Sequence, residues 1–178
     1  MKIFFSTLFF LIGLIFQAQN IEWKATEKLS WSDFGASIRA NQGSSVAFDY
    51  TGILYEVNRS SNPEGEISIS IKNIFDKNKS WKKYEDPGNY ILQHEQLHFD
   101  ITEIFARKMR KMVQNKIKKS KDYQKYFQKE YKRIYSDYVK FQNQYDKETQ
   151  HSINKIKQEE YNLMIPKLLK ELEAFQKP

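Results

Sequence analysis

The chain contains no cysteine. Disulfides therefore cannot staple the fold, a lipid anchor built on an N-terminal cysteine is not expected, and any metal site must use imidazole and carboxylate ligands. Histidine is almost as scarce, at three in 178 residues. The apolar run from Ile3 to Phe16, broken by Ser6, Thr7 and Gly13, falls short of the ~18 apolar residues that a membrane span needs. Lys2 before it and Gln17-Ala18-Gln19-Asn20 after it give it the form of a secretory signal peptide over residues 1–19, cut near Ala18 or Gln19. The expectation is a secreted or periplasmic protein with no stable membrane insertion once that segment is removed. Internal repeats, flexible linkers and nucleic-acid-binding signatures are also missing, so residues 20–178 read as one domain without a nucleic-acid partner.

The formal net charge is +7. It is concentrated in the second half, as in Lys108-Met109-Arg110-Lys111 and Lys116-Ile117-Lys118-Lys119. Along lysine- and glutamate-rich helices such runs read as a solvated face before they read as a binding surface for anionic polymers or lipids.

Periodicity divides the domain in two. Ser45-Val46-Ala47-Phe48-Asp49-Tyr50 and Ile53-Leu54-Tyr55-Glu56-Val57, with Gly52 between them, have strand composition. Ser60-Ser61-Asn62-Pro63-Glu64-Gly65 is a turn cluster, and Ile67-Ser68-Ile69-Ser70-Ile71 alternates strictly, which places Ile67, Ile69 and Ile71 on one buried face. From Asn89 onward the pattern is helical. The first helix is expected over Tyr90 to Lys118 and the second over Lys121 to Tyr145. A third is expected from Thr149 to Phe175, kinked or divided at Pro166. Tyr123, Phe127, Tyr131, Ile134, Tyr138 and Phe141 recur at three- and four-residue steps, a helix face that packs on a neighbour. The fold class is α+β: a small antiparallel sheet in the N-terminal half, then three long helices.

The chemistry centres on His94-Glu95-Gln96-Leu97-His98, an HExxH sequence on the first helix. Residues four apart share a helix face, so His94 and His98 can offer two imidazole nitrogens to one metal ion, with Glu95 beside a water on it. The alternative is a pair of ordinary helix histidines. A catalytic zinc takes three protein ligands and keeps one open position. Asp100 and Glu103 point roughly 140° to 160° away from His98 on the same helix and cannot close that site. Helix arithmetic supplies another candidate. From His98 to Lys118 is about 30 Å of helix. If the chain turns near Ser120 and returns antiparallel, it comes level with His98 near Phe141, and Tyr145 to His151 lie beside the HExxH turn. His151, in the first turn of the last helix, is then the third ligand, with Glu148, Glu159 and Glu160 as rivals. Tyr145 is a candidate donor to a tetrahedral oxyanion. The turn is the weak point, because Lys119-Ser120-Lys121-Asp122 contains neither glycine nor proline.

Leu29-Ser30-Trp31-Ser32-Asp33-Phe34, Ser80-Trp81, the block from Leu92 to Glu103 and the block from Tyr145 to His151 together resemble the domain of unknown function 922 family. Its members are described as bacterial predicted secreted zinc-dependent proteases. The resemblance implies zinc held by His94, His98 and His151, with Glu95 as base and a peptide or protein as substrate. One position departs from the pattern: glycine follows the downstream histidine in the family, and Ser152 stands here, where a side chain narrows the backbone's approach to the site. A zinc amidase acting on cell-wall peptides is a rival within HExxH chemistry. A non-enzymatic envelope protein, with structural metal or none, is a rival outside it. Oligomeric state and cleavage specificity have no signature in the sequence.

Overall fold

The computed structural model describes residues 20–38 and 45–177. The signal-peptide expectation for residues 1–19 lies outside the described residues. The order of elements is β1 (Asn20–Glu22), β2 (Ala47–Phe48), β3 (Thr51–Arg59), β4 (Ile67–Asp76), β5 (Trp81–Lys82), α1 (Asn89–Lys116), α2 (Gln128–Thr149) and α3 (Lys155–Glu171). This is the expected α+β arrangement. Among the described residues no helix is long and apolar enough to cross a membrane.

β1, β4 and β3 form an antiparallel sheet in the order β1-β4-β3, and β2 pairs with β5 in a separate two-stranded ribbon. The alternation in β4 does what period-two patterning requires: Ile71, Asn73 and Phe75 are buried on the face that Ile67 and Ile69 begin. Gly52 does not separate two strands as expected. It lies within β3, and the chain breaks instead at Asp49 and Tyr50. There Ser80 Oγ accepts from the Tyr50 N–H at 2.8 Å and donates to the Asp76 carbonyl at 2.8 Å, which pins the β2–β3 corner against the end of β4.

α1 runs through the middle of the molecule, and every residue from His94 to Arg107 is buried. A helix enclosed on all sides is normally apolar all round. This one carries polar side chains inward, so each needs a partner. Gln96 Oε1 accepts from the Leu29 N–H at 2.8 Å and Gln96 Nε2 donates to Asp100 Oδ1 at 2.9 Å. Asp100 Oδ1 also accepts from Trp23 Nε1 at 2.6 Å. Asp100 and Glu103 both lie in the core.

The turn after α1 holds without glycine or proline because other groups pin it. Asp122 Oδ2 accepts from the backbone N–H of both Lys118 and Lys119 at 2.9 Å. The tip of the β3–β4 hairpin accepts from the Ser120 and Lys121 N–H groups through the Gly65 and Pro63 carbonyls, at 3.0 and 2.9 Å. After one helical turn (Ser120–Asp122) and a π-helical turn (Tyr123–Phe127) the chain enters α2 and returns antiparallel. The aromatic stripe packs inside the chain, with Tyr55 edge-on to Phe127 and Tyr131, and Phe105 against Tyr138 and Phe141.

The third helix starts later than expected and ends sooner. α2 continues to Thr149, and Gln150, His151 and Ser152 follow with φ of 51°, 51° and 71°. These are left-handed values that end a helix and that residues with a β-carbon adopt at a cost. Asn154 then caps α3, its side chain accepting from the Lys157 N–H at 3.2 Å. His151 therefore sits in the connecting turn and not in a first helical turn. Pro166 lies within α3 without dividing it, and a 3-10 turn over Glu173–Phe175 follows.

Candidate metal centre

α1 supplies His94, Glu95 and His98, and α2 passes alongside so that Gln142 and Asp146 face them. His94 Nε2 and His98 Nε2 are 3.3 Å apart. Asp146 Oδ1 lies 3.3 Å from the first and 3.0 Å from the second. Zinc bonds of about 2.0–2.1 Å in tetrahedral geometry put neighbouring ligand atoms about 3.3–3.4 Å apart. The three atoms thus outline one face of a ligand tetrahedron, and two imidazoles with a carboxylate are a donor set suited to zinc. His151 Nδ1 is 3.3 Å from the same Asp146 oxygen, but its side chain is 73% exposed against 5% for His94 and 10% for His98.

The remote nitrogens of both rings are engaged. His98 Nδ1 lies 2.6 Å from Gln142 Oε1, and His94 Nδ1 lies 2.9 Å from Gln158 Oε1, from α3. Tyr145 stacks on His94 at 4.7 Å and meets His98 edge-on at 4.8 Å. Its hydroxyl donates to the His94 carbonyl at 3.2 Å and accepts from Gln158 Nε2 at 2.8 Å. Fully buried and bonded in this way, Tyr145 suits steadying His94, and its hydroxyl has little freedom to meet a substrate.

A cavity of about 640 Å³ opens over these groups, lined by Glu95, His98, Asp146 and His151 on the helix side and by Phe48 and Asp49 on the strand side. Asp49 Oδ2 is buried without a hydrogen-bond partner among the described residues. Burial pushes the Glu95 carboxyl above its usual range, and the nearby Asp49 charge adds to this against the pull of His98 and His94. Burial likewise raises Asp49 against the pull of His98. For His98 burial acts downward, but Asp49, Asp146 and Glu95 outweigh it and hold the imidazolium up to about 10. Burial would raise Asp146, yet its bonds to His94 and His98 keep it far below the ordinary carboxylate range.

The structure places His94, Glu95, His98 and His151 around one cavity, and the group close enough to share an ion is His94, His98 and Asp146. Asp146, Gln142, Gln158 and Asp49 were not singled out from the sequence. A signal existed for two of them: the antiparallel return comes level with His98 one residue from Gln142, and Asp146 lies four residues further along the same helix face, level with His94. Asp49 and Gln158 depend on tertiary packing and had none.

An α+β scaffold with an HExxH pair and a facing carboxylate is a candidate metalloprotein. Residues 71–152 match the family model described as bacterial protein of unknown function (DUF922), and over that segment the chain carries this family's pattern. The matched stretch includes every site residue named above except Phe48, Asp49 and Gln158. No curated protein and no solved structure matches the chain.

Proposed function

We propose that the protein is a secreted or periplasmic zinc-dependent hydrolase, and that its substrate is a peptide bond. The observation that carries this reading is the triangle of His94 Nε2, His98 Nε2 and Asp146 Oδ1, with edges of 3.0–3.3 Å, opening on the cavity that Glu95 lines. His94 and His98 hold the metal, and the end of α2 supplies the third ligand. Asp146 fits that corner in this conformation, and His151, one hydrogen-bond length behind it, is the alternative. When bound, zinc supplies a Lewis acid for the scissile carbonyl and lowers the pKa of water toward ~7. Glu95 takes the proton of the attacking water and passes it to the leaving amine, a task suited to a carboxyl whose affinity for protons is raised by burial. Asp49 faces the same space and keeps Glu95 from losing its proton too easily. Tyr145 positions His94.

The number of protein ligands separates an enzyme from a structural site. Three leave a position for water, whereas four close the centre. Zinc analysis of Asp146→Ala and His151→Ala tests this directly. The hydrolase reading expects near-stoichiometric zinc in the parent and loss in one variant of the two. Equal loss in both, with no hydrolysis by the parent, supports a structural metal. Glu95→Gln should retain zinc and lose about 10²–10⁴-fold in rate. A parental rate in that variant sinks the mechanism. Casein against peptidoglycan fragments distinguishes a peptidase from a cell-wall amidase.

A further inference from the structure

We propose that Gln142 and Gln158 are the positioning residues of this centre, each holding one HExxH imidazole with its proton on Nδ1 and Nε2 turned to the metal. The inference rests on the metal-site reading given above. In a neutral imidazole one nitrogen donates and the other accepts, and the partner of the first decides the role of the second. An amide oxygen only accepts. With Gln142 Oε1 at 2.6 Å and Gln158 Oε1 at 2.9 Å, the Nδ1 atoms of His98 and His94 must carry hydrogen.

Which end of each amide faces its ring is itself determined. Gln142 Nε2 lies 2.9 Å from the carbonyl oxygen of His98, which can only accept, and 3.1 Å from Thr102 Oγ1. Thr102 is fixed in turn by donating to that same carbonyl at 2.9 Å. Gln158 Nε2 donates to Tyr145 Oη at 2.8 Å and to Asn162 Oδ1 at 3.1 Å. A flip of Gln142 would set its oxygen against the His98 carbonyl, and a flip of Gln158 would set its oxygen against Asn162 Oδ1, whose own amide is held by donating to Glu159. The two histidines neighbour one another on α1, yet their orienting groups come from α2 and α3. The pair is therefore aligned only when all three helices are docked.

The chemical character of the partner matters as well. Metal-bound histidines commonly hand this hydrogen to a carboxylate, a backbone carbonyl or water, and a carboxylate there makes the ring more basic. Glutamine is neutral. It fixes direction without adding charge, so among the described residues the only anionic group touching the two imidazole Nε2 atoms is Asp146.

The test uses the full chain with zinc alone as the probe, read by chelator competition and by NMR of ¹⁵N-labelled imidazoles in the zinc-loaded protein. The parent should show two exchange-protected Nδ1–H protons and zinc at Nε2. Gln142→Met and Gln158→Met should each lose one protected proton and weaken zinc binding by about 10–100-fold. Gln142→Glu and Gln158→Glu, which keep the acceptor, should restore both. Methionine variants with parental affinity and unchanged protection overturn the proposal. Should a methionine variant fail to fold, the glutamate variant decides: a missing protected proton there overturns it equally. A parent that takes up no zinc defeats the metal-site reading instead, and this is visible before any glutamine is changed.

Discussion

The two halves of α1 bury polar groups in opposite ways. In the C-terminal half Glu103 accepts from Arg107 Nε at 3.0 Å and from Arg110 Nη1 at 2.8 Å. Further guanidinium N–H groups reach the Leu169, Phe175 and Ile71 carbonyls and Gln176 Oε1. Each guanidinium nitrogen of Arg107 and Arg110 has a partner within the protein. In the N-terminal half His94 Nε2, His98 Nε2 and Asp146 Oδ1 converge, three atoms that in their metal-binding forms are all acceptors. Without metal such a cluster is tolerable only with a proton in it, which is what the raised His98 provides. One end of the helix is built to be stable alone, the other to exchange a proton for a cation.

The largest expected effect strikes the self-sufficient end. Arg107→Met leaves Glu103 with one cation in place of two and removes the donors to the Leu169 carbonyl and the Gln176 side chain. It should cost about 3–5 kcal/mol in chemical denaturation without changing the zinc stoichiometry. A loss of zinc at unchanged stability would erase the contrast between the two ends.

At the other end the expected effect depends on pH. A histidine whose pKa is raised in the folded state stabilises the fold below its unfolded value near 6.5. That contribution fades as pH climbs through about 10. Metal must displace this proton, so zinc affinity should rise about tenfold per pH unit between pH 6 and 8, with about one proton released per zinc in weakly buffered calorimetry. A flat profile would mean that His98 is not protonated in the metal-free site.

Much of this contrast was hidden in the sequence, for physical reasons. The HExxH spacing and the Ile67-Ser68-Ile69-Ser70-Ile71 alternation are local and legible, and so is the presence of three helices. The burial of Glu103 is not legible because Arg107 and Arg110, which make it tolerable, stand beside and within a run that reads as a solvated basic face. Asp146 is likewise not legible until the return of α2 is placed to within one residue. The left-handed turn at Gln150–Ser152 has no glycine to announce it, which is why the last helix was expected to begin at Thr149 and to include His151.

That turn offers the smallest effect. Ser152 has φ of 71°, where a β-carbon is strained. Ser152→Gly should raise stability by about 0.5–1 kcal/mol in thermal melts, the relief of strain exceeding the chain entropy that glycine adds. Zinc affinity should change little. A destabilised Ser152→Gly would mean that the serine side chain compensates for its backbone.

The hairpin tip that holds the α1–α2 turn works as the zero mark of a vernier. Gly65 and Pro63 hold Ser120 and Lys121, where the chain turns back toward α2, and about 30 Å away that choice decides which side chain stands opposite His98. Sliding the origin by one residue would turn Asp146 by about 100° and bring a different pair of side chains to the histidines, with every local contact at the origin still plausible. The accuracy of the metal centre is thus set at the far end of the molecule, by residues that never approach it.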